Sequence, residues 1–97
     1  MNWENEFMKE HLLTVNDVTE NIIEKMKKDE GIIITTENGK VIDIDAVWDL
    51  DNQGADCWNV RVYESYEQYV KCGYVFLWDS VFMDDFTINH IWKYMMC

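Results

Sequence analysis

Residues 32–48 read Ile32-Ile33-Ile34-Thr35-Thr36-Glu37-Asn38-Gly39-Lys40-Val41-Ile42-Asp43-Ile44-Asp45-Ala46-Val47-Trp48, two β-rich runs joined through Asn38-Gly39. Asn-Gly between such runs marks a two-residue type I′ hairpin, because both positions of that turn require a positive φ. A two-residue turn fixes the register, pairing Thr35 with Ile42 and Ile33 with Ile44. Side chains alternate across a strand, so Ile33, Ile42, Ile44, Ala46 and Trp48 are expected on a core face, with Asp43 and Asp45 on the other.

The flanks supply the rest of the layout. Val15, Val18, Ile22 and Met26 recur at helical spacing and predict a helix over 15–29. Thr14 and Asp17 stand at capping-box spacing before it, Lys25, Lys27 and Lys28 complement its C-terminal dipole, and Gly31 lies just past its end. Residues 3–13 are expected to be helical as well, although Trp3, Phe7, Met8, Leu12 and Leu13 do not share one face.

Beyond the hairpin, a polar loop over 49–56 leads into a third strand, where Trp58, Val60 and Val62 alternate with Asn59, Arg61 and Tyr63. Ser65 and Gln68 have capping spacing for a short helix over 66–72, Tyr74 to Asp79 reads as a fourth strand, and Ile88, Ile91, Trp92 and Met95 predict a closing helix over 84–96. The order α-β-β-β-(α)-β-α predicts one α+β domain over 1–97. Its three- to four-stranded antiparallel sheet carries the N-terminal and C-terminal helices on one face.

Charge bounds the function. Nineteen Asp and Glu oppose eight Lys and Arg, for a net charge of −11 in 97 residues. Such a surface repels phosphate backbones and anionic membranes and attracts basic partners, so direct binding to nucleic acid or membrane is not expected. No apolar run approaches the length of a membrane span, and the first residues lack the order of a signal peptide, so a cytoplasmic location is expected. Cys57, Cys72 and Cys97 are odd in number and widely spaced, which argues for thiols rather than a disulfide framework.

Catalytic signatures are lacking. There is no Gly-rich phosphate loop, no Gly-x-Ser-x-Gly and no paired His and Cys spacing, so neither enzyme activity nor a cofactor is expected. The stretch Asp49-Leu50-Asp51-Asn52-Gln53-Gly54 resembles the start of a calcium loop, but Val60 occupies the twelfth position where a bidentate glutamate belongs, and no metal is expected. The residues with most to offer a partner are acidic. Asp43 and Asp45 lie about 6.5–7 Å apart on one strand face, Asp49, Asp51 and Asp56 continue the series, and Glu37 stands at the hairpin end. Tyr63, with Tyr66, Tyr69 and Tyr74, adds aromatic anchors of the kind enriched at interfaces.

The small size, the −11 charge, the αβββα order and the series Asp43, Asp45, Asp49, Asp51 and Asp56 resemble the small acidic phage proteins that counter host defences, among them anti-CRISPR proteins that mimic DNA. The resemblance implies a stoichiometric inhibitor that occludes the nucleic-acid site of a basic protein, such as a CRISPR effector or nuclease, in the host cytoplasm. An immunity protein against a toxin nuclease is a second expectation, and a small metal-binding or enzymatic domain a third. A homodimer paired through an edge strand is compatible with all three.

Overall fold

A computed structural model describes residues 3–49, 54–71 and 77–96. Expectations at Asp51, Cys72, Tyr74 and Cys97, and for the side chains of Trp48, Asp49 and Trp78, lie outside what is described. The described residues form helices α1 (Trp3–Glu10), α2 (Glu20–Asp29), α3 (Tyr66–Val70) and α4 (Ile88–Met95), and strands β1 (Gly31–Thr35), β2 (Val41–Asp49), β3 (Gly54–Tyr63) and β4 (Leu77–Phe82). The strands make one antiparallel sheet in the order β1-β2-β3-β4. This is the α+β class and element order that the sequence predicts.

The hairpin differs in register. Ile34 pairs with Ile42, Ile33 with Asp43, and Ile32 with Ile44, a slip of one residue on β1. The cause is the turn. Thr36 N–H donates to the Lys40 carbonyl at 3.0 Å, and Gly39 N–H donates to the Thr36 carbonyl at 3.0 Å, which leaves a three-residue loop, Glu37-Asn38-Gly39. Gly39 takes φ +91° while Asn38 does not take a positive φ, so one left-handed residue completes the turn where a type I′ turn needs two. The Thr36 hydroxyl holds this alternative in place, accepting from Lys40 N–H and bonding the Asn38 side chain. On β2 the expected face is correct, with Ile42 and Ile44 buried. On β1 it is exchanged: Ile34 is buried, Ile32 packs against the core, and Ile33 lies on the opposite face.

The helix expected over 15–29 is interrupted. Thr14 N–H and Oγ1 both donate to Asp17 Oδ2, at 3.0 and 2.7 Å, and close a short 3-10 turn over Val15–Asp17. These bonds hold the Asp17 carboxyl below its ordinary pKa. Thr19 then starts α2 afresh from an extended conformation. Glu30 ends that helix in the left-handed region, at φ 61°, donating its N–H to the Met26 carbonyl. Gly31 follows where β1 meets β2 closely: a Cβ there would stand 2.5 Å from the Ile44 carbonyl oxygen.

Val18 and the α2 residues Ile22 and Met26 pack on Ile34, Ile42, Ile44, Trp58, Val60 and Val62, and Ile91 and Tyr94 of α4 complete that layer. Both of these helices therefore cover one face of the sheet. Tyr94 was absent from the expected apolar face of the last helix. It is buried because its hydroxyl reaches Asp79 Oδ2 at 3.1 Å, which satisfies the polar end of the ring. His90 caps α4, its Nδ1 accepting from Thr87 N–H at 3.1 Å while its ring stacks on Phe86. Among the described residues no helix is long and apolar enough to cross a membrane.

Candidate functional site

Among the described residues, helices cover the opposite face of the sheet at one end. At its hairpin end, α1 and α3 form a second, aromatic cluster. The Phe7 ring lies 5.0 Å from Tyr66 and 5.2 Å from Tyr69, and Tyr69 meets Tyr63 edge-on at 5.4 Å. Thr35 Oγ1 donates to the Met8 carbonyl at 2.6 Å and ties α1 to β1. Ser65 caps α3 by accepting from Gln68 N–H at 3.2 Å, as its spacing predicts. Val41, Thr35 and Tyr63 are buried beneath this cap. Tyr63, expected to meet a partner, is 7% exposed and serves as the floor of the cap, which corrects that assignment. Sequence periodicity had no means to place α1 over it, because that contact joins segments more than fifty residues apart.

Away from the cap, none of the described helices lies over the face. Its cross-strand rows follow from the register: Asp43 beside Arg61, then Asp45 beside Asn59 and Ser80, then Val47 beside Cys57 and Phe82. Val47 is 40% exposed and Phe82 60%, so an apolar row borders the two aspartates. Arg61 stands among them, with its guanidinium 3.8 Å from Asp45 Oδ2. Burial first and the Asp45 carboxylate second raise the Asp43 carboxyl to about 6, against the opposing pull of Arg61. Near neutral pH the Asp43 carboxylate is therefore held ionised against the preference that its burial gives it.

The remaining acidic positions are spread along the sheet. Asp49 ends β2, paired with Gly54. Asp56 is exposed and is the extra residue on β3 where the pairing skips between Val47 and Trp48, a β-bulge. Asp51 is outside the described residues. Glu37 is exposed at the hairpin tip, the far end of β2 from Asp49. The structure thus brings together Asp43 and Asp45 and adds three residues that sequence reasoning missed: Arg61, Val47 and Phe82. The signal for Arg61 was present, since it alternates with the core residues Val60 and Val62 and must share the face of the aspartates once β3 pairs with β2.

Asp49 and Gly54, the ends of the calcium-like stretch, face each other as paired strand positions. Among the described residues no group of three His, Cys, Asp or Glu side chains is placed to hold a metal ion. Comparison of the chain with protein-family models, with curated proteins and with solved structures finds no match.

Proposed function

We propose that this protein is a stoichiometric, non-catalytic inhibitor that binds a basic nucleic-acid-handling protein, such as a CRISPR effector or a nuclease, and occludes its nucleic-acid site. The observation that carries this reading is the sheet face away from α1 and α3, where Asp43 and Asp45 border the exposed apolar side chains Val47 and Phe82. Sheet faces exposed this way are poor solvent surfaces and good docking surfaces. Carboxylates beside the apolar row select a partner that presents cations around a hydrophobic contact, and the net charge of −11 steers such a partner in at long range. The arrangement is one that a phage counter-defence protein would use. An immunity protein would use it against a toxin nuclease, and identification of the captured partner separates the two.

Affinity capture from host lysate identifies the partner, and titration calorimetry at two salt concentrations tests the site. The triple variant Asp43→Asn, Asp45→Asn, Asp49→Asn is expected to bind more weakly and with a shallower salt dependence than the native chain. Equal affinity, with no salt dependence in the native protein, would leave the aspartates as solvated surface and end this reading. A mobility shift with DNA or RNA is expected to show no complex at physiological salt.

A further inference from the structure

We propose that the open edge of β1 accepts an extended, basic segment of the partner as an added strand, so that recognition proceeds by β-augmentation. The inference rests on the functional reading above and specifies how the partner is held.

β1 is an edge strand of the sheet. At its far end the chain already shows the edge taking a strand: Thr35 N–H donates to the His11 carbonyl at 2.9 Å, Leu13 N–H donates to the Thr35 carbonyl at 3.0 Å, and Leu12 lies in a parallel bridge to Thr35. Since Thr35 points its backbone groups outward, Ile33 does so too, two residues earlier. Preceding the bridge, the chain turns away into α1 and leaves that rung open. Among the described residues the outward N–H and C=O of Ile33 have no partner.

The open rung is the floor of a groove of about 440 Å³. One wall is the last turn of α2, with Lys25 and Asp29; the other is Asp45, whose Oδ1 stands 3.4 Å from where a Cβ on Gly31 would be. Glu10, Asp29, Glu30 and Asp45 line the groove against Lys25 alone, with His11 at its end. An added strand would send alternate side chains to the two walls, and each wall carries a carboxylate. Main-chain bonds to Ile33 would supply the affinity, and the carboxylates would select Lys or Arg wherever a side chain of the added strand meets a wall. A second copy of this chain, itself at −11, is disfavoured at the same edge by charge.

The test uses the full chain and a fluorescein-labelled heptapeptide of alternating Lys and Val. A second peptide is N-methylated at its valines, and a third has Glu in place of Lys. Anisotropy is expected to show binding of the first peptide and about tenfold weaker binding of the N-methylated one, the effect of losing one to two backbone hydrogen bonds. The Glu peptide is expected not to bind. Amide exchange at Ile33 should slow in the complex with the first peptide, and Ile33→Pro, which removes that N–H at an edge position where proline is tolerated, should weaken binding of the first peptide by about tenfold in anisotropy. Should Ile33→Pro fail to fold, the N-methylated peptide decides alone. Equal binding of the N-methylated peptide with unchanged Ile33 exchange would overturn augmentation while leaving a charge-driven acidic face intact. Absence of any binding by the Lys peptide would also overturn it, and calorimetry with the captured partner would then judge the functional reading separately.

Discussion

The two faces of this sheet are built from the same three central alternations and meet opposite fates. On one, Ile44, Val60 and Trp58 lie fully buried beneath α2 and α4. On the other, their immediate sequence neighbours Asp43, Asp45, Asn59 and Arg61 lie partly or fully in solvent, and among the described residues α1 and α3 roof the hairpin end. Stability comes from the first face because burial of apolar area is its driving force. The second face holds α1 and α3 at one end and leaves Asp45, Val47 and Phe82 exposed. A surface that costs the fold little is a surface free to be shaped by a partner.

The largest contrast is expected between Ile44→Ala and Val47→Ala. Ile44 is wholly buried, and its truncation should cost about 2–5 kcal/mol. Val47, on the opposite face, should stay within roughly 0.5 kcal/mol. Urea denaturation of the two variants checks this. The reverse order would mean that the β2 register is slipped by one residue and the faces exchanged.

A smaller loss is expected at the roofed end. Phe7→Ala removes ring contacts with Tyr66, Tyr69 and His11 and should cost about 1–2 kcal/mol. Because Thr35 N–H is held by His11 and its hydroxyl by Met8, amide exchange at Thr35 should accelerate as α1 loosens. Unchanged exchange would show that α1 is held by its backbone bonds and that the aromatic cluster contributes little.

These two ends also show what the sequence could and could not reveal. β2 and β3 were readable from alternation alone, since each buries one face under helices. The short cap of α3 was readable too, because Ser65 and Gln68 act locally. The turn was not, because Asn38-Gly39 suits two loop lengths. The choice between them fell to the Thr36 hydroxyl, a side chain outside the dipeptide that carries the signal. The break before α2 was hidden for a related reason: Thr14 and Asp17 cap a helical turn, but nothing local says that the turn ends after Asp17. Burial of Tyr63 depended on α1, distant in sequence and without a clean apolar face. Among the candidate site residues, the pairing of Asp43 with Asp45 followed from period two, whereas the intrusion of Arg61 required the β2–β3 register.

Asp43→Asn is expected to act in the opposite direction. The folded pKa of about 6 lies above the ordinary 3.8, so the folded chain binds more protons than the unfolded one between those values. The stabilising contribution of the protonated carboxyl is therefore present below about pH 4 and lost as pH rises through 6. Asn removes the ionisation and should stabilise the protein at pH 8 by about 1 kcal/mol, a value reduced from the full shift because the group is half solvated. At pH 4 the variant and the native chain should be nearly equal. Denaturation of both proteins at the two pH values decides it, and an Asn variant less stable at pH 8 would mean that the Arg61 attraction outweighs burial.

The smallest effect on stability is expected from Asp45→Asn, and it is the most informative about the acidic face. The Asp45–Arg61 contact is 3.8 Å long between solvated groups, so its loss should change stability by less than about 0.5 kcal/mol. Asp43 should nevertheless register the change. The Asp45 carboxylate is the second cause of its raised pKa, after burial and ahead of the opposing Arg61. With Asp45 neutral, Arg61 acts on Asp43 alone, and the Asp43 pKa should fall from about 6 while staying above 3.8, because the larger cause, burial, is untouched. Carboxyl-detected NMR titration of the variant measures this directly. A fall to the ordinary value would assign the whole shift to charge and make Asp43 as solvated as its neighbour. No movement would separate the two carboxylates electrically, and the acidic face would then act through Asp45 alone.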